Sequence, residues 1–152
     1  MENIIKDAFL GLAVGDALGV PVEFKSRETL AKNPVVDMRA YGTHQQPMGT
    51  WSDDSSLAFC IAESLCNGYD VEDIGKNFVR WYKHDFWTAH DELFDIGIST
   101  SEAIERLVRG DSARISGNYA EKYNGNGSLM RTLPLIFHIK DMDIAARFTC
   151  VS

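Results

Sequence analysis

The chain is short of positive charge. Its 152 residues hold 15 lysines and arginines against 22 aspartates and glutamates, a net charge of −7. Non-specific nucleic-acid binding needs a basic face, so the balance argues against that class of function. A local anion site is not excluded, because a few backbone N–H groups and one arginine can hold a phosphate. Cysteine is also scarce. Cys60, Cys66 and Cys150 form an odd set without metal-ligand spacing, which predicts buried free thiols in a cytoplasmic protein. No apolar run is long enough to span a membrane. Met1-Glu2-Asn3 lacks the basic start of a secretory leader, and the apolar stretch Ala8–Val14 leads straight into Gly15-Asp16. Apolar–polar alternation is missing, so no strand is predicted. Gly-x-Ser-x-Gly, Walker and dinucleotide fingerprints are absent, as are repeats and low-complexity segments.

What is present is ordinary for one globular domain: 45% hydrophobic and 24% charged residues. Ile4, Ile5, Ala8, Phe9 and Leu12 recur at helical spacing and predict a helix over Asn3–Val14. Two glycines and Pro21 then break regular structure across 15–24, and 25–50 reads as one long irregular loop, with a short extended piece at Val35–Met38. Helical pattern returns from Asp53 to Cys66, stopped by Asn67-Gly68. Another helix starts at Asp70, with Ile74, Phe78, Val79 and Trp81-Tyr82 on its apolar side. Ser99-Thr100-Ser101-Glu102 resembles a capping box and opens a helix ended by Gly110. A further helix is expected from near Ser128, carrying Pro134. Asp141-Met142-Asp143 caps a last one, Ile144 to Ser152, whose end has neither cap nor basic turn and reads as a cut inside a larger domain. The fold class is all-α.

Four segments could carry chemistry. Ser52-Asp53-Asp54 sets two adjacent carboxylates and a hydroxyl at a helix start. One acid there satisfies free N–H groups and the helix dipole; two exceed what capping needs, and clustered oxygen ligands suit Mg²⁺, Mn²⁺ or Ca²⁺. An acidic cap alone is the equal alternative. Gly15-Asp16 with Glu23 is the second. Glu23 lies between Val22 and Phe24, an apolar setting that would tune a general acid or base, although a capping Asp16 and a solvated Glu23 would read the same way. Gly125-Asn126-Gly127-Ser128-Leu129-Met130-Arg131 could present backbone N–H groups to a phosphate, or be a plain loop. Asp95-Ile96-Gly97-Ile98-Ser99-Thr100 is on its own a helix cap. His44, His84, His90 and His138 show no ligand spacing and read as structural or exposed. The group Phe78, Trp81, Tyr82, Phe86 and Trp87 reads as core.

In this order the segments resemble the ADP-ribosylglycohydrolase family, which includes the glycohydrolase that reactivates dinitrogenase reductase. The matching residues are 11–24, Gly49-Thr50-Trp51-Ser52-Asp53-Asp54-Ser55, Asp95-Ile96-Gly97 and 125–131. The resemblance implies a compact orthogonal all-α domain, here truncated at its C-terminal side, with a two-metal Mg²⁺ or Mn²⁺ site. It implies hydrolysis of the bond between ADP-ribose and a protein side chain or small acceptor. By that likeness Ser52, Asp53 and Asp54 fall on metal ligands, Ser52 standing where many members carry Thr. Glu23 falls on a loop glutamate beside the metals and, with Asp53 and Asp54, on the catalytic set. Gly97, Asn126, Gly127 and Ser128 fall on segments lining ADP-ribose. The family's Thr-His motif and second acidic cluster, of Gly-Asp-x-Asp-Thr type, are not among these residues. Three expectations follow: a hydrolase; a truncated, inactive ADP-ribose-binding or crystallin-like structural member; or a chain completed by self-association or by a separate C-terminal part.

Overall fold

Helix α1, Glu2–Gly19, is apolar on almost every side, the pattern of a helix that packs on more than one face. In the computed structural model, which describes residues 2–120, 123 and 125–138, it runs one turn beyond the expected stop at Val14. Glycine inside a helix costs only about 1 kcal/mol, so Gly15 does not end it. The stop is Pro21, which lies in a 3-10 turn, Val20–Val22, and cannot continue an α-helix.

The loop expected over 25–50 contains a six-residue helix, α2, Arg27–Lys32, opened by Ser26, whose hydroxyl accepts from the Thr29 N–H at 3.2 Å. Ser26 with Glu28 in the first turn and Lys32 in the last was a readable start-and-stop signal. A second 3-10 turn, Gly42–His44, follows. Tyr41 and Gln46 pair across it as an isolated bridge. The extended piece at Val35–Met38 forms no strand, and no strand occurs among the described residues.

Helix α3, Asp53–Leu65, is the central element and packs against α1, α4 and α6. Its start at Ser52-Asp53 and its stop before Gly68 (φ +102°) follow the sequence signals. Helix α4, Val71–His84, is capped by Asp70 as expected, through a 2.9 Å bond from the Glu72 N–H. Asn77 locks α4 to α3: its amide donates to the Cys60 carbonyl at 3.1 Å, and the Cys60 thiol returns a bond to the Asn77 carbonyl at 3.6 Å. Burial pushes the Cys60 thiol up to about 12.

Helix α5, Ile98–Val108, has Gly97 rather than Ser99 at its N-cap; the Ser99–Glu102 box therefore begins two residues inside the helix. Helix α6, Leu133–His138, begins five residues after the expected start at Ser128, because 127–131 form turns and Pro134 fits only a first helical turn. The expected helix Ile144–Ser152, its Asp141 cap and Cys150 lie outside the described residues.

The core joins Leu57 and Cys60 of α3, Trp81 of α4 and Ile104 of α5. Phe78, Tyr82 and Phe86 pack against it, but Trp87 is 41% exposed and sits at φ +61°. Cys66 is exposed rather than buried, since it follows the last turn of α3. Helix α1 joins this body through Phe9, whose ring lies 6.0 Å from Phe59 and 6.4 Å from Phe137, while Ile4, Leu10 and Val14 remain exposed. No helix among the described residues is long and apolar enough to cross a membrane. Trp81 is the largest fully buried side chain; Trp81→Ala should lower stability by about 3–5 kcal/mol, read from urea unfolding.

Candidate active site

The acidic start of α3 is held from another helix. Asp16, in the last turn of α1, accepts four hydrogen bonds through its two carboxylate oxygens. Oδ2 takes the Ser52 N–H at 3.0 Å, the Ser55 N–H at 3.1 Å and the Ser55 hydroxyl at 2.6 Å; Oδ1 takes the Ser52 hydroxyl at 2.8 Å. Ser52 Oγ in turn accepts from the Asp54 N–H at 3.3 Å. Asp16 is thus a remote cap for α3, satisfying N–H groups that a helix start leaves open. Capping of α3 is done by Asp16 and Ser52, so Asp53 and Asp54 are surplus to it.

An open cleft of about 590 Å³ lies above this junction. Ser52, Asp54, Asp16, Glu23 and Asp95 line it, together with Gly11, Gly15 and Gly19 along one face of α1. Asp53 is buried beneath, 7% exposed. Burial and the neighbouring charges of Asp54, Asp95, Asp16 and Glu23 push Asp53 up to about 8. Burial, then Asp16 and Asp95, push Asp54 up to about 6. Asp95 also rises to about 6, through burial, a hydrogen bond with Glu23 and the Glu23 charge, with His44 acting the other way.

His44 was read from the sequence as structural or exposed. Its Nε2 lies 2.5 Å from Glu23 Oε2 and 3.7 Å from Asp95 Oδ2, and its side chain is 15% exposed. No spacing could show this: positions 23, 44 and 95 meet only through the fold. Asp95 stands at φ +54°, a conformation that aspartate adopts more readily than most residues.

The glycine-bearing segments meet each other rather than the cleft. Gly127 packs on the first turn of α5, where an added Cβ would stand 3.2 Å from Thr100 Oγ1, and Gly97 caps that same turn. The Asn126 carbonyl accepts from the Leu129 and Met130 N–H groups at 2.9 and 3.3 Å, so Asn126-Gly127-Ser128 forms a turn and no helix starts at Ser128. Gly97, Asn126, Gly127 and Ser128 are not part of the cleft lining. Arg131 connects the two regions. It donates to the Gly127 carbonyl at 2.7 Å and lies over the Phe78 ring. Burial lowers its guanidinium, with the charge of Asp53 opposing that shift.

The sequence matches the ADP-ribosylglycohydrolase family over residues 1–152. The chain belongs to that family. It is 37% identical over 131 residues to an ADP-ribosylarginine hydrolase Tri1 of Pseudomonas putida (strain GB-1), covering 85% of this chain and 34% of the relative. It is 33% identical over 138 residues to the ADP-ribosyl-[dinitrogen reductase] glycohydrolase of Rhodospirillum rubrum, covering 84% of this chain and 42% of the relative. A solved structure described as an ADP-ribosylglycohydrolase-related protein complex superposes with a TM-score of 0.74 at 36% identity, covering 93% of this chain and 44% of that one. The chain therefore spans between a third and a half of the length of the relatives it matches.

The donor set in this ADP-ribosylglycohydrolase chain fits a hard divalent cation. Asp53 feels the charges of Asp54, Asp95, Asp16 and Glu23 as well as its own burial, so five carboxylates gather at one place in the fold. Oxygen donors of this kind suit Mg²⁺ or Mn²⁺.

Two outcomes follow. Asp16→Asn sets an amide against N–H donors and should cost about 1.5–3 kcal/mol, measured by urea unfolding. For pH, acids with raised values keep their protons in the folded chain over a range where the unfolded chain has lost them. The stability they contribute is full below the ordinary carboxylate range, about pH 4, and is lost as pH rises through about 6 and then about 8. In EDTA the unfolding temperature should therefore be higher at acid than at alkaline pH within that window. Asp53→Asn should flatten the alkaline part and raise the midpoint there by about 3–6 °C.

Proposed function

We propose that this chain contributes one wall of the active site of a metal-dependent hydrolase that cleaves the glycosidic bond between ADP-ribose and a protein side chain or small acceptor. The observation that carries the reading is the cluster of carboxylates at and beneath the cleft, in a chain whose relatives are named as hydrolases of ADP-ribosylarginine and of ADP-ribosyl-dinitrogen reductase. Ser52, Asp53 and Asp54 would hold Mg²⁺ or Mn²⁺, assisted by carboxylates from outside these residues. Such ions supply Lewis-acid polarisation and a nucleophilic water.

The chain's own groups have distinct tasks. Asp16 keeps the Ser52 hydroxyl and the first turn of α3 in place by its four bonds. Asp54 faces the cleft, where its negative charge favours the positive charge that builds on the sugar ring during glycosidic cleavage. Glu23, also on the cleft wall, is the candidate general base, taking the proton of the attacking water and returning it to the leaving group. Backbone N–H groups of Gly97, Asn126, Gly127 and Ser128 are the proposed diphosphate contacts. An ADP-ribosylated protein or a small ADP-ribosyl compound is the substrate class. The free thiols Cys60 and Cys66 agree with a cytoplasmic setting.

A second arrangement is that a separate C-terminal part or a second copy supplies the opposing acids. Mn²⁺ calorimetry and ADP-ribose release from ADP-ribosylarginine test both, with the chain alone and with a relative's C-terminal part added. Asp54→Ala should lower Mn²⁺ affinity and the hydrolysis rate by about 100-fold or more, beyond the 10–100-fold of a residue that only supports a ligand. Unchanged affinity and rate would remove the assignment.

A further inference from the structure

Glu23 has little in its own loop to hold it. It follows the 3-10 turn Val20–Val22, is 36% exposed at its side chain, and precedes Phe24, which is 83% exposed at φ +60°. What fixes it comes from the second 3-10 turn, about 20 residues away. Gly42 lies on Pro21 so closely that an added Cβ would stand 2.1 Å from the Pro21 carbonyl oxygen, and Gly42 has φ +67°. Thr43 Oγ1 donates to the Glu23 carbonyl at 2.8 Å. His44 Nε2 meets the Glu23 carboxylate at 2.5 Å. The imidazole is flanked by the rings of Phe24 and Phe94, at 6.1 and 5.3 Å, the residues adjoining Glu23 and Asp95.

The turn carrying these contacts is itself braced. Gln45 Nε2 donates to the Gly42 carbonyl at 2.6 Å, and the Tyr41 N–H donates to the Gln46 carbonyl at 2.6 Å. Three consecutive residues thus engage Pro21, the Glu23 backbone and the Glu23 carboxylate, and the third also reaches Asp95 at 3.7 Å.

We propose that His44 is a positioning residue. As the tip of the Gly42–His44 turn, it holds the Glu23 carboxylate on the cleft wall and joins it to Asp95. The imidazole hydrogen-bonds to Glu23 and stands 3.7 Å from Asp95, so it adds a fixed partner to a pair of carboxyl groups that also bond to each other. This inference rests on the reading of Glu23 as the general base, yet its structural part can be read without turnover.

The test compares the full chain with His44→Gln, which keeps a donor near the Nε2 position, and His44→Phe, which keeps the ring between Phe24 and Phe94. A third variant, Thr43→Val, removes the bond to the Glu23 carbonyl and leaves the ring contacts intact. Hydrogen exchange of the 22–25 segment is the primary readout, since the Lys25 N–H bonds to the Val22 carbonyl at 3.1 Å. Mn²⁺ stoichiometry is the second, and kcat and KM for ADP-ribosylarginine are the third. His44→Phe and Thr43→Val should speed exchange by about 10-fold, while His44→Gln stays within about 3-fold of the wild type. Where turnover is measured, His44→Phe should lower kcat by about 10–100-fold with little change in KM, and His44→Gln should recover most of it. Wild-type exchange in His44→Phe and Thr43→Val would overturn the proposal. So would rescue by Phe and not by Gln, which would make the role one of packing. Loss of one Mn²⁺ equivalent in His44→Gln would make His44 a ligand instead. A wild-type chain with no turnover in any assembly would overturn the hydrolase reading alone, and the exchange pattern would still decide the role of His44.

Discussion

The bond set of Asp16 organises the molecule. One carboxylate at the end of α1 receives two backbone and two hydroxyl donors from Ser52 and Ser55, and so fixes where α3 begins relative to α1. Charged acceptors make the stronger hydrogen bonds, and each of these donors would otherwise be an open group at a buried helix start. With that junction made, Asp53 faces inward and Asp54 faces the cleft. The direction of both acids is a consequence of the α1–α3 contact, not of the local sequence around them.

The same junction explains the electrostatic character of the site. Bringing the ends of α1 and α3 together, with the loops of Glu23 and Asp95 above them, concentrates acids that are far apart in the chain. The folded protein accommodates this partly by holding the proton of Asp53 up to about pH 8 and those of Asp54 and Asp95 up to about pH 6, and partly by placing His44 against Glu23 and Arg131 near Asp53. A site built in this way is costly to the apo fold at alkaline pH. Such local cost is common where structure serves function.

Much of this was legible in the residues. Asp53-to-Cys66 and Asp70 onward show clear caps and periodicity, and both helices form as read. The acid pair at Ser52-Asp53-Asp54 stood out because it exceeded the needs of a cap, and Asp16 with Ser52 turns out to do the capping. The end of α1 is hard to read because Gly15 resembles a stop, whereas Pro21 is the residue that ends the helix. Helix α2 was missed because it is short and polar, with its stability in the Ser26 cap rather than in burial. Helix α6 was placed five residues early because a serine after glycines resembles an N-cap, whereas Asn126 starts a turn there. His44 could not be read at all: its meaning lies in Glu23 and Asp95, which only tertiary structure brings to it.

The glycines of α1 have a consequence of their own. Gly11, Gly15 and Gly19 recur every fourth residue on the cleft side, and an added Cβ at any of them would meet nothing within 4 Å. At these three positions the wall is peptide backbone, between the side chains of Leu12 and Asp16. A ligand lying along the glycine row would meet the helix backbone itself. One methyl group added at any of the three positions would make the groove shallower by a single carbon and leave the acids untouched. The α1 wall can thus set how thick an occupant the cleft accepts, independently of the groups that act on it.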